Sequence, residues 1–229
     1  MIVTFDATAH RYVVGDREIP SVTTRIQAAG LLGSGAAFYT PESADRGTRV
    51  HEACTDLDLG RPCTLLPAEQ GFLDSYAKWR RLMQPFWTSI ERPHYSVRYD
   101  TAGTADRLGT VAGRPLIVDF KTGGPAKWHG LQLAMYDLLH DDIPPQRRRR
   151  IALYLRIDGR LAQSVEYLDP ADYTLALTLM MKRMDADGTN RPDRGHRGHA
   201  DVESQVQPGT VEPDHRARRA RKPRRRSHV

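Results

Sequence analysis

The chain has 229 residues, 39% of them hydrophobic, and a formal net charge of +6, which is enough length for one sizeable core. It holds no run of 18 apolar residues and no leader of basic, apolar and small segments, so a cytoplasmic protein away from membranes is expected. The two cysteines, Cys54 and Cys63, exclude a disulfide framework or a four-cysteine cluster from this chain alone and are expected to be reduced and incidental.

In chain order, "TFDATAHRYVVGDREIPSVT" alternates like a β-hairpin with Gly15-Asp16 at its turn, and 21–32 follows as a helix. A second helix opens at "TPESADRG", with Thr40 as N-cap and Pro41 at the first helical position, and closes at Gly60. Residues 67–84 give a third, with Phe72, Tyr76, Trp79 and Met83 on one stripe. Strands are expected near 91–99, 103–111 and 115–121, a helix over 126–141, strands near 150–157 and 161–167, and a last helix over 170–186. Helices before and after a short sheet predict an α/β fold with helices on both faces, in a domain of residues 1–186.

The charge is unevenly placed. Residues 214–229 hold seven Arg and one Lys against Asp214, a net of +7, which leaves −1 for the rest. From Asp187 the chain is rich in Gly, Pro, Arg, His and Asp and poor in apolar residues, so 187–229 is expected to be a disordered, Arg-rich tail. Its charges make either a sequence-independent handle on nucleic acid or a solvated solubility feature.

Within 116–123, "LIVDFKTG", period-two alternation sets Leu116, Val118 and Phe120 on one face and Ile117, Asp119 and Lys121 on the other. Charges in so apolar a strand pair with each other or belong to a site. If Ala112-Gly113 is a two-residue turn, Asp106 lies directly opposite Asp119, on the same side of the sheet. Two carboxylates at that spacing repel unless they share a divalent cation through oxygen ligands. In the next helix, Trp128, Leu131, Met135, Leu138 and Leu139 form an apolar stripe. His129, Gln132, Tyr136 and His140 form a polar one, with Gln132 and Tyr136 placed to position a substrate or hold Lys121 and the two histidines expected to be solvated. Trp79 and Trp128 are expected in the core, Trp87 is open between core and base stacking, and "RRRR" at 147–150 is a solvated approach to a strand or a phosphate contact.

Asp106, "DFK" and "QLAMY", in this order, with "RGTRVHEA" upstream, resemble the PD-(D/E)XK nucleases, in particular the RecB-type branch of phage and bacterial recombination exonucleases. "HRYVVGDREIPSVT" is similar to the segment that opens many phage-encoded members. The resemblance covers about residues 10–140 and implies a restriction-endonuclease-like core, a mixed sheet flanked by helices. It implies His51, Asp106, Asp119 and the Phe120 carbonyl as metal ligands, Lys121 as the group that orients or activates the attacking water, and Gln132 with Tyr136 completing the site. Glu91, where many relatives carry an acid, takes a lesser role. The proline of the family name is Ala105 here, and the acid before the lysine is Asp119; neither change removes a ligand. The cofactor implied is Mg²⁺ or Mn²⁺, with His51 favouring tolerance of manganese. The substrate implied is DNA, and a recombination or helicase protein is the partner class. No GxxxxGK[ST] loop occurs, so no ATP-driven helicase is encoded in these residues. The expected activity is exonucleolytic; an endonuclease with the same site and a catalytically silent nucleic-acid-binding protein are the rivals.

Overall fold

The computed structural model describes residues 2–6, 9, 11–32, 40–140, 142–185 and 187–189. An antiparallel meander opens the chain, β1 (Val3–Asp6), β2 (Arg11–Val14) and β3 (Arg17–Ile19). Gly15 turns the β2–β3 hairpin at φ 60°, where a side chain would be strained. Helix α1 (Val22–Ala28) starts at Ser21, whose hydroxyl accepts from the Thr24 amide. Helix α2 (Pro41–Asp58) carries the expected cap and first-turn proline, and Ser43 completes a reciprocal capping box with Thr40. A 3-10 turn at Pro67–Glu69 leads into α3 (Gln70–Met83).

The second sheet has five strands in the order β4 (Phe86–Ser96), β5 (Thr101–Val111), β6 (Arg114–Lys121), β7 (Arg149–Tyr154) and β8 (Gln163–Glu166). β6 and β7 pair in parallel, and the other neighbours are antiparallel. Such a parallel pair needs a crossover, and α4 (Trp128–Leu139) supplies it; α5 (Ala171–Met180) follows β8. β4 begins five residues before the expected start and ends three before the expected end, because the chain turns into β5 at Tyr99 and Asp100.

The alternation in β6 decides what each face of the sheet packs against. Leu116, Val118 and Phe120 join Val50, Cys54, Phe72, Tyr76 and Trp79 in a core under α2 and α3. Ile117 joins Leu133, Met135, Leu139, Ala176 and Met180 in a second core under α1, α4 and α5. Helices therefore cover both faces, as in a layered α/β domain. The architecture is consistent with a restriction-endonuclease-like fold, a five-strand mixed sheet flanked by helices.

Two expectations fail for one reason, burial by elements distant in sequence. Helix α4 has no solvated stripe: every residue from His129 to Leu139 is buried, since α4 is sandwiched between the sheet and α1 and α5. His129 is hydrogen-bonded to the Tyr154 hydroxyl at 2.7 Å, and burial, aided by Lys121, drops its pKa to about 3. His140 is only partly buried and stacks on His94 with ring centroids 4.2 Å apart. The run at 147–150 is not a solvated approach either. Arg148 pairs with Asp137 and Asp142, Arg149 with Glu166, and Arg150 with Asp172, while only Arg147 is exposed. Trp79 is buried, its indole donating to Ser164, and it stacks on the half-buried Trp87; Trp128 packs half-buried at the edge of the α4 core. Residues 190–229, which include the arginine-rich segment, lie outside the described residues. None of the described helices is long and apolar enough to cross a membrane.

Candidate metal centre

Three carboxylates stand abreast on β4, β5 and β6. The β5–β6 ladder pairs Val111 with Arg114 and Arg107 with Val118 across an Ala112-Gly113 turn, with φ of 50° and 73°. The next step of that register sets Asp106 opposite Asp119. On its other side β5 pairs Arg107 with Ile90 and Ala105 with Arg92, so Glu91 falls opposite Asp106. Glu91 breaks the ladder there at φ 47°, a left-handed conformation that costs about 1–3 kcal/mol in a non-glycine residue and clusters at functional sites.

Helix α2 reaches this row with one face. His51, Thr55 and Asp58, at i, i+4 and i+7, point to the sheet. His51 Nδ1 lies 3.3 Å from Asp106 Oδ1 and 3.9 Å from Glu91 Oε1. One potential ligand atom from each of His51, Glu91 and Asp106 forms a group whose members all lie within 4.8 Å of one another. The other Asp106 oxygen, Oδ2, accepts from the Phe120 amide. A strand residue directs its N–H and C=O toward the same neighbour, so the Phe120 carbonyl also faces the β5 side.

On the far flank, Lys121 Nζ sits 2.5 Å from Asp119 Oδ2 and donates to Gln132 Oε1 at 2.8 Å. Gln132 Nε2 then donates to the Tyr136 hydroxyl at 3.2 Å. The α4 pair thus holds the lysine. Gly103 makes room for this chain, since a Cβ there would lie 2.8 Å from the Tyr136 ring. Trp128 adds the face of its indole, 5.1 Å from the ammonium.

The electrostatics show what the cluster lacks. Burial opposes a charged His51, yet Asp106, Glu91 and Asp119 together lift it to about 9. Burial and the neighbouring Asp106 raise Glu91 to about 8, against His51 and Arg107. Asp119 is also raised, by burial and by Asp106, with Lys121 opposing. Asp106 alone is lowered, because His51, the Phe120 amide and Arg107 outweigh its burial. Asp119 Oδ2 is buried against the Lys121 ammonium at 2.5 Å. Clustered carboxylates, two of them raised in pKa, and an imidazole fit a hard divalent cation of the Mg²⁺ or Mn²⁺ kind.

Of the ligands expected from the sequence, His51 and Asp106 fall in the compact group, where Glu91 joins them in place of Asp119; Asp119, with Lys121, Gln132 and Tyr136, stands on its flank. Thr55, Asp58 and Arg107, which brace it from behind, were missed; the i, i+4, i+7 polar face after His51 was the available signal. The model of the PD-(D/E)XK nuclease superfamily matches residues 28–221, and the chain belongs to that superfamily of metal-dependent phosphodiester hydrolases. The match extends past residue 186 into the segment set aside above as a tail. No curated protein matches the chain.

Proposed function

We propose that the chain is a divalent-metal-dependent DNA exonuclease of the RecB-type branch, acting from DNA ends in phage or bacterial recombination or end processing. The observation that carries the reading is the row of Glu91, Asp106 and Asp119 on three adjacent strands, flanked by His51 on one side and Lys121 on the other. The histidine on the upstream helix and the Gln132–Tyr136 pair on α4 support the branch, because both converge on that row.

In this reading His51, Asp106, Asp119 and the Phe120 carbonyl hold Mg²⁺ or Mn²⁺, with Glu91 as an added carboxylate. The cation supplies the positive charge that makes a water nucleophilic near neutral pH and stabilises negative charge on the phosphate oxygens. Lys121 donates from the side of Asp119 to the attacking water or to a phosphate oxygen. Gln132, held by Tyr136, keeps the ammonium pointed there, and the position of that donor decides its worth. The buried face of β6 and the packed helices exclude bulk water from behind the carboxylates.

The test is to incubate end-labelled linear DNA and closed-circular DNA with Mg²⁺ and with Mn²⁺, using Asp119→Asn as a control. Loss of linear DNA with circles intact is the expected result. Nicking of circles at a comparable rate would make the protein an endonuclease, and metal-dependent binding without cleavage would make it a silent binder.

A further inference from the structure

Arg107 follows Asp106 on β5 and is fully buried, with its side chain on the face away from the Asp119 row. A guanidinium cannot shed its proton, so burying one requires acceptors for every donor. Arg107 Nε donates to Asp58 Oδ2 at 2.7 Å and Nη2 to the Thr55 hydroxyl at 3.1 Å. Nη1 donates to the Asp106 carbonyl at 2.7 Å and to Glu91 Oε1 at 3.2 Å. The guanidinium also lies 4.8 Å from the centroid of the Phe120 ring. Asp58 is itself fully enclosed and tied to α3, receiving the Tyr76 hydroxyl and Arg80 Nε at 2.6 Å each.

The position of Glu91 explains why so costly a group sits there. His51, Thr55 and Asp58 share one face of α2, and His51 and Arg107 both lie against the Phe120 ring, so imidazole and guanidinium stand side by side under α2. Glu91 meets both of them from a left-handed backbone. Strain of that kind persists only where surrounding structure over-determines it, and among the described residues Arg107 donates a charged hydrogen bond to Glu91.

We infer that Arg107, anchored by Asp58 and Thr55, is a positioning residue that holds Glu91 in its strained conformation as the third carboxylate of the metal centre. The inference rests on the reading of that cluster as a metal centre. It assigns Arg107 no contact with substrate; it acts through Glu91.

The experiment is a double-mutant cycle read by calorimetric Mn²⁺ affinity and by the Mn²⁺-induced rise in melting temperature, on the full chain. Arg107→Lys keeps the charge but cannot span Asp58, Thr55 and Glu91 together, and it should weaken Mn²⁺ binding about 10-fold, as loss of an orienting partner does. In a Glu91→Gln background the same change should have no further effect on affinity. Should Arg107→Lys fail to fold, Thr55→Val decides: it removes one anchor and should cost about threefold in Mn²⁺ affinity, a fraction of the worth of one hydrogen bond from a charged donor, again only when Glu91 is present. A folded Arg107→Lys or Thr55→Val that binds Mn²⁺ like the parent would overturn the inference, as would equal losses with and without Glu91. If Glu91→Gln alone leaves affinity unchanged, Glu91 is not a ligand and the inference falls, while the His51, Asp106 and Asp119 reading stands. Loss of Mn²⁺ binding in neither Asp106→Asn nor Asp119→Asn would instead sink the metal centre itself.

Discussion

Metal binding to this centre should expel protons, and pH sets how much affinity that costs. His51 holds a proton with a pKa of about 9 and Glu91 one of about 8, while both ligands must be deprotonated to bind. At pH 7, removing the first costs about 2.7 kcal/mol and the second about 1.4 kcal/mol, at 1.36 kcal/mol per pH unit. Mn²⁺ affinity should therefore climb between pH 6.5 and 8, by at least about 10-fold per unit from His51 alone. The fold responds with the opposite sign. The raised pKa of His51 means that its ion pair with Asp106 stabilises the metal-free protein fully below pH 6.5, and that contribution fades as pH rises through about 9. Calorimetry of Mn²⁺ binding at pH 7 in two buffers of different ionisation enthalpy counts the protons released. Between one and two are expected, and His51→Gln should remove one of them. No proton release at pH 7, or a flat affinity from pH 6.5 to 8, would refute the reasoning.

Asp119→Asn should abolish cleavage and leave melting temperature and DNA binding largely intact, since it removes a ligand charge without changing shape; activity within a few-fold of the parent would reject the site. Gly71→Ala, where a Cβ would lie 1.8 Å from the Ile157 carbonyl oxygen, should push α3 off the segment after β7 and destabilise the protein by about 1–3 kcal/mol, measured by urea unfolding. Deleting residues 190–229 should flatten the plot of log affinity against log salt on duplex DNA by about 3–4 units if half the eight basic charges of 214–229 meet phosphates. Turnover on short saturating substrates should survive that deletion, and an unchanged slope would assign the segment no binding role.

The parts of the site that were legible in the sequence are those written in local periodicity. Alternation placed Asp119 and Lys121 on one face of β6, and the two-residue Ala112-Gly113 turn fixed a register that runs to Arg107 and Val118, one step short of Asp106 and Asp119. Capping residues located the start of α2, and with it His51. What escaped was set by partners far along the chain. The polar stripe of α4 lies under the sheet, Arg148 and Arg150 are buried and Arg149 is half-buried, because Tyr154, Glu166 and Asp172 come from other elements. No pattern of side chains announces that Glu91 takes a left-handed backbone in mid-strand, where its carboxylate meets both His51 and Arg107.

Charge ties these observations together. Asp58 meets Arg80 as well as Arg107, and Arg107 also meets Glu91, so Asp58, Glu91, Asp106 and Asp119 stand against His51, Arg80, Arg107 and Lys121. With every member charged this network sums to zero. Burial and Asp106 raise Glu91 to about 8, so it too holds a proton at neutral pH. Exchanging that proton and the one on His51 for a single divalent cation leaves the sum of charges unchanged. A monovalent ion would lower the sum by one, because it replaces two charges with one. Lys121 stays charged in both states, held by Asp119 and Gln132. The same ammonium that balances the metal-free cluster is thus already aimed when the cation arrives.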